Sequence, residues 1–239
     1  MKLFKYKNRE DYINTQIERS QEKSGYCKVY FSDVIRYRNL LALDRYGHGA
    51  HPQSRHRSNR ILCLGVRSGA EVDLFRAAFF APSFRLRVVQ EYARRHDTSW
   101  YAAPKIKLAA RLGIGSGTRR DGRVMGVEIN PDAKREDVWI GSFDELPDEW
   151  NGQFNIIYSN SIDHAQDPER TIAEWKRVSA PVSYVILGFT ENKPISDHDP
   201  FGGFDYKVLQ ELWKSPIVFL SDTYNRNGYR EICFRLGAH

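Results

Sequence analysis

Two glycines four residues apart frame the turn Leu64-Gly65-Val66-Arg67-Ser68-Gly69-Ala70-Glu71. The apolar run Ile61-Leu62-Cys63-Leu64 precedes it, and a helical pattern from Glu71 to Phe80 follows. Glycines there let the backbone turn sharply and approach a ligand. The helix start would aim its free amides at that ligand. A lone Gly-x-x-x-Gly is weak evidence, and Glu128 strengthens it. Glu128 stands near the end of the next apolar run, Val124 to Ile129. An acid in that place accepts both hydroxyls of a ribose. The pair therefore points to a nucleotide-type ligand. The interval from turn to acid far exceeds the usual ~20 residues. The excess matches one basic stretch, 81–123, which reads as an insertion.

These residues need a sheet to hold them. Short apolar runs alternate with helical patterns along the body of the chain. The strands predicted after Glu128 are Val138–Gly141, Phe154–Ser159 and Ser183–Phe189. A helix is predicted from Asp167-Pro168-Glu169, with Asp at the N-cap and Pro at the first position. It places Ile172, Trp175 and Val178 on one face. Another helix covers Tyr206 to Lys214. Ile217–Leu220 and Tyr229–Leu236 read as an antiparallel hairpin around Asn225-Arg226-Asn227-Gly228. Such alternation predicts a parallel sheet covered on both faces, with an antiparallel edge. Residues 1–44 read as helical, with Asp33 capping the helix that follows it, and 45–60 read as a linker. The expected organisation is a helical extension and linker, 1–58, and a sheet-bearing domain, 59–239, with the basic insertion at about 81–123.

Composition narrows the class. The 239 residues are 41% apolar and 28% charged, which excludes a disordered tail. No apolar run approaches the ~20 residues of a membrane helix. The first residues contain no stretch of signal-peptide length, and Cys27, Cys63 and Cys233 lie far apart. Both features lead to the expectation of a reducing, cytoplasmic setting without a zinc module. The net charge is +6, and residues 81–123 carry ten Lys/Arg against three acids, so the excess sits in that segment.

The ordered set of motifs resembles the class I S-adenosylmethionine-dependent methyltransferases, closest to their small-molecule type 11 group. ILCLGVRSG resembles the glycine-rich first motif and VMGVEINP the second, with its ribose-binding acid. GSFDELP lies where that group lines the adenine. FNIIYSNSIDHAQDPERTIAEWKRVSAPVSYVIL resembles the fourth and fifth motifs. The resemblance covers about residues 60–190. Four departures stand out: Cys63 replaces an acid, Arg67 the middle glycine, Ser142 the adenine-contacting Asp, and SAPVSY a Pro-Gly-Gly.

The resemblance implies a Rossmann-like α/β fold, a mostly parallel central sheet with an antiparallel C-terminal hairpin and helices on both faces. It implies S-adenosyl-L-methionine as cofactor, meeting Gly65, Arg67, Ser68, Gly69, Glu128, Ile129, Ser142, Phe143 and Asn160. It implies in-line attack on the methyl carbon by a small-molecule or saccharide-type acceptor, on oxygen in preference to nitrogen. An oxygen acceptor needs a base. His164, just past the fourth strand, is the candidate, with Asp163 orienting it or binding the acceptor. The plainer reading is that His164 braces the turn before Asp167.

Other signals carry less. His48, His51 and His56 have neither helical spacing nor an acid beside them, so no metal is expected. His198 suits a surface turn as well as an acceptor contact. Gly113 to Thr118 imitates a phosphate loop but follows a helical stretch. Pro104 interrupts Tyr101-Ala102-Ala103-Pro104-Lys105, an imitation of a dehydrogenase pair. The basic stretch reads as a charged lid, as a binder of an anionic acceptor or, in the minority reading, as a nucleic-acid or membrane contact. Trp100 and Tyr101 would stack on a base or sugar. Two other classes remain open: an inactive methyltransferase-fold scaffold and a nicotinamide-dependent oxidoreductase. The lack of Gly-x-Gly-x-x-Gly opposes the latter.

Overall fold

The computed structural model describes residues 3–22, 27–47, 59–80, 123–222 and 228–237. The readings placed on 81–122 (Trp100, Tyr101 and the Gly113–Thr118 loop), on His48, His51 and His56, and on turn residues 225–227 lie outside the described residues.

Ile61–Leu64 (β1) is buried at every position, as a central parallel strand requires. It pairs in parallel with Val124–Glu128 (β2) on one side and Phe154–Ser159 (β4) on the other. Val138–Ile140 (β3) lies beyond β2, and Ser179–Phe189 (β5) beyond β4. Ile217–Leu220 (β6) and Arg230–Leu236 (β7) complete, among the described residues, seven strands in the order β3-β2-β1-β4-β5-β7-β6. Only β7 runs antiparallel to its neighbours. The order reverses at β1, so the crevice between the carboxyl ends of β1 and β4 is where ligands bind in such sheets.

Helices cover both faces. Arg9–Glu22 (α1), Phe31–Gly47 (α2) and Ala70–Phe80 (α3) precede β2 in the chain. Val34, Tyr37 and Leu41 of α2 share one core with Phe75 and Phe79 of α3 and Ile61 and Tyr158 of the sheet. Pro168–Val178 (α4) and Tyr206–Trp213 (α5) pack the opposite face, where Ile172, Trp175, Val178 and Trp213 meet Leu62 and Val185. Asp167 caps α4 by accepting from the Arg170 amide, as its sequence predicts.

Helix α2 runs on to Gly47, into the stretch read as linker, and residues 27–30 are not helical. Two further boundaries differ from the sequence reading. α2 begins at Phe31, and Asp33 lies within its first turn, where its carboxylate reaches back to the Tyr30 amide at 3.0 Å. That is the reciprocal half of a capping box, not the N-cap itself. β5 begins at Ser179, directly after α4. Its first residues include exposed Pro181 and Val182, and the pairing with β4 is irregular there, which hides the strand from an apolar-run reading.

Candidate active site

A cleft with about 40 Å³ of free interior lies at the carboxyl ends of β1 and β2. Gly65, Arg67, Glu128, Ile129, Ser142, Phe143 and His164 line it together with Tyr12, Gln16, Arg19 and Ser20 of α1. Ser68, Gly69, Asn160 and Asp163 are not among the lining residues.

The turn after β1 needs a left-handed backbone. Gly65 has φ +74°, and a Cβ there would lie 2.5 Å from Ser161 Oγ. Arg67 has φ 49°, a left-handed backbone that glycine adopts without strain. A side chain in that region costs about 1–2 kcal/mol. The Arg67 amide donates to Glu128 Oε2 at 2.6 Å, and a hydrogen bond to a charged acceptor contributes about 1.5–3 kcal/mol. The bond offsets the strain. Behind the turn, Arg135 Nη1 donates to the carbonyls of Ser68 and Gly69, both at 3.1 Å. Asp73 and Asp137 hold that guanidinium in place.

Glu128 is buried. Its Oε1 accepts from Ser20 Oγ at 2.7 Å and from the Asn130 amide at 3.2 Å. A carboxylate has about four acceptor positions. Ser20, Asn130 and Arg67 fill three of them. Farther along, the Ser142 hydroxyl donates to Asp144. Asp144 is buried and bound by Arg9 Nη2 at 3.1 Å. The Phe143 carbonyl accepts from Trp175 Nε1 at 2.8 Å, which ties the cavity wall to α4.

One turn of 3-10 helix, Ile162–His164, carries the next group. His164 Nδ1 lies 2.6 Å from the carbonyl of His198. A carbonyl only accepts, so Nδ1 carries the proton and Nε2 keeps its lone pair. Nε2 lies 3.8 Å from Asp163 Oδ1. Burial pulls the imidazole below its usual range, against the opposing pull of Asp163 and Asp199. The ring is therefore neutral at pH 7. Burial pushes Asp163 up, but His164 and Lys193 more than reverse this and hold its carboxyl below the usual range. Lys193 Nζ binds Asp163 at 2.7 Å and also binds Asp199. Asp163, His164 and Asp199 are near enough to share a metal ion, but Lys193 already supplies both carboxylates with a positive charge.

Helix α1 spans this whole row. Arg9 grips Asp144, Ser20 grips Glu128, and Tyr12 donates to the His164 carbonyl at 3.1 Å. Gln16 donates to the His198 carbonyl at 3.3 Å. The sequence reading missed all four, and also Asp144, Arg135, Lys193 and Asp199. Tyr12, Gln16 and Ser20 are buried at intervals of four. A Gln and a Ser on the stripe that a helix buries were the available signal. His198 contributes its backbone carbonyl to the site. Asn160 is buried, and its side-chain oxygen accepts from Ser161 Oγ at 3.2 Å.

No protein-family model and no curated protein matches the sequence. Solved structures do match the fold. One is Burkholderia thailandensis 1,6-didemethyltoxoflavin-N1-methyltransferase, with bound 1,6-didemethyltoxoflavin and S-adenosylhomocysteine. It is 12% identical, with 98% of this chain and 93% of that chain covered at a TM-score of 0.51. Another is a SAM-dependent methyltransferase from Aquifex aeolicus, 10% identical, with 76% and 84% covered at a TM-score of 0.42. The strand order and the first likeness together define the class I methyltransferase fold. Among the described residues no helix is long and apolar enough to cross a membrane.

Proposed function

We propose that this chain is an S-adenosylmethionine-dependent methyltransferase acting on a hydroxyl of a small-molecule or saccharide-type acceptor. The observation that carries the reading is the convergence on one cavity of Glu128, held by backbone amides, and His164, held in its Nδ1-protonated form. The residues present fit the cofactor. Glu128 has one acceptor position left, and a ribose diol needs two, so Ser20 yields its place to complete the grip. Gly65 leaves the turn open to close approach, and Phe143 and Ser142 line the same cavity.

When bound, the cofactor supplies an electrophilic methyl group on a sulfonium that departs as a neutral thioether. The chain does the rest. His164 Nε2 takes the acceptor's hydroxyl proton as the new carbon–oxygen bond forms. The His198 carbonyl fixes the ring, and Asp163 stands ready to stabilise the imidazolium. The α1 side chains cover the cavity and restrict water. In this reading residues 59–239 carry the transferase machinery, and the 1–58 extension supplies the cover.

A scaffold reading has one feature in its favour: Ser20 already satisfies part of Glu128. Calorimetric titration with S-adenosylmethionine and S-adenosylhomocysteine separates the two. Micromolar binding, about −8 kcal/mol, is expected. Glu128→Ala should weaken it by about 1.5–3 kcal/mol, roughly 10- to 150-fold. Folded protein that releases no heat with either ligand would leave the scaffold reading in its place.

A further inference from the structure

Lys28 lies in the extended segment between α1 and α2. Cys27, Val29 and Phe31 are buried there, and Lys28 and Tyr30 alternate with them. That period of two fixes the side to which Lys28 projects. Its Nζ sits 4.3 Å above the ring of Tyr229. Tyr229 in turn borders Gly188 together with Asn160: their atoms lie 3.5 and 3.4 Å from where a Cβ of Gly188 would stand. Lys28, Tyr229, Gly188 and Asn160 are thus contiguous at the carboxyl ends of β4 and β5, beside the turn that carries His164.

The charges around Lys28 are those around His164. Arg67, Lys193, Asp163 and Asp199 act on both. The two aspartates bind Lys193 directly. Burial, followed by the like charges of Lys193 and Arg67, pulls the Lys28 ammonium down to about 8. It stays mostly charged at pH 7, in surroundings that favour the arrival of a negative group.

Resting on the transferase reading above, we propose that Lys28 anchors an anionic group of the acceptor, a carboxylate or a phosphate, while His164 faces its hydroxyl. Tyr229 and Asn160 link the two along the strand ends. The anion fixes the acceptor at one end, and that restriction brings its hydroxyl to the base.

The test is NMR of the full chain labelled with ¹³C at lysine Cε. Lys28→Gln assigns the resonance by its disappearance. Inorganic phosphate and benzoate are the probes, each titrated against pH with and without S-adenosylhomocysteine. Either probe at saturation should raise the Lys28 midpoint by about one unit, a tenfold gain in proton affinity, while exposed Lys134 stays put. Phosphate alone would specify a phosphorylated acceptor, and benzoate alone a carboxylate. A Lys28 midpoint that neither probe moves, or that moves no more than Lys134, overturns the proposal. Calorimetry with S-adenosylhomocysteine reads the transferase assignment separately, so its failure is distinguishable.

Discussion

Replacing His164 with alanine is expected to slow methyl transfer by about 10²–10⁴-fold, the usual worth of a positioned base. Cofactor affinity should hardly change, because Glu128 and the Gly65 turn remain. His164→Asn is the sharper variant. Its amide still offers an N–H to the His198 carbonyl but supplies no basic nitrogen, so it should be as slow as alanine. The pH profile gives a second readout on any acceptor found by screening. Burial lowers the His164 pKa below 6.5. The base form then dominates above that value, and the rate should stay flat through neutrality and fall in acid. His164→Asn should lack the acid limb. Stability follows the same sign: unfolding lets the imidazole take up a proton, so its contribution is complete above about 6.5 and is lost as pH falls. A wild-type profile that rises through pH 8–9 would point to a different base.

Trp175→Ala should cost about 3–5 kcal/mol, the range for a fully buried large aromatic. Trp175 is 0% exposed and sits edge-on to Phe143, with Trp213 at 6.4 Å. For a chain of this size the loss corresponds to a fall in melting temperature of roughly 6–20 °C. Trp175→Phe separates packing from hydrogen bonding. It keeps most of the ring and removes the Nε1 donor to the Phe143 carbonyl. That variant should lose about 1–3 kcal/mol. It should also weaken cofactor binding, because the freed carbonyl belongs to a residue of the cavity wall. Thermal unfolding and calorimetry on both variants measure the two effects.

The parts of the molecule legible in the sequence are those whose physics is local. Ile61–Leu64, Gly65, Gly69 and Glu128 announce themselves because strand burial, turn conformation and a strand-end acid each act within a few residues. The Asp167-Pro168 start of α4 is equally local. The illegible parts join distant segments. Ser20 meets Glu128 across 108 positions, and Arg9 meets Asp144 across 135. Lys193 reaches Asp163 from a loop that has no regular pattern. Arg67 looked like a defect in the glycine turn, since nothing in its neighbourhood reveals the Glu128 bond that holds its left-handed backbone. Asp144 lies outside the motif pattern, which places its acid at the position of Ser142, and only the fold shows the Ser142 hydroxyl donating to it.

Ser20 makes α1 more than a cover. On the proposed reading its hydroxyl holds an acceptor position that the cofactor's ribose would take, which makes it an internal competitor at high effective concentration. Any ligand's measured affinity is its intrinsic affinity reduced by that rivalry. Ser20→Ala should therefore tighten S-adenosylhomocysteine binding by about tenfold, close to 1.4 kcal/mol, and slow its departure in stopped-flow displacement. On that reading a helix that returns its own hydroxyl to Glu128 would help to expel the spent cofactor, giving up affinity in exchange for turnover.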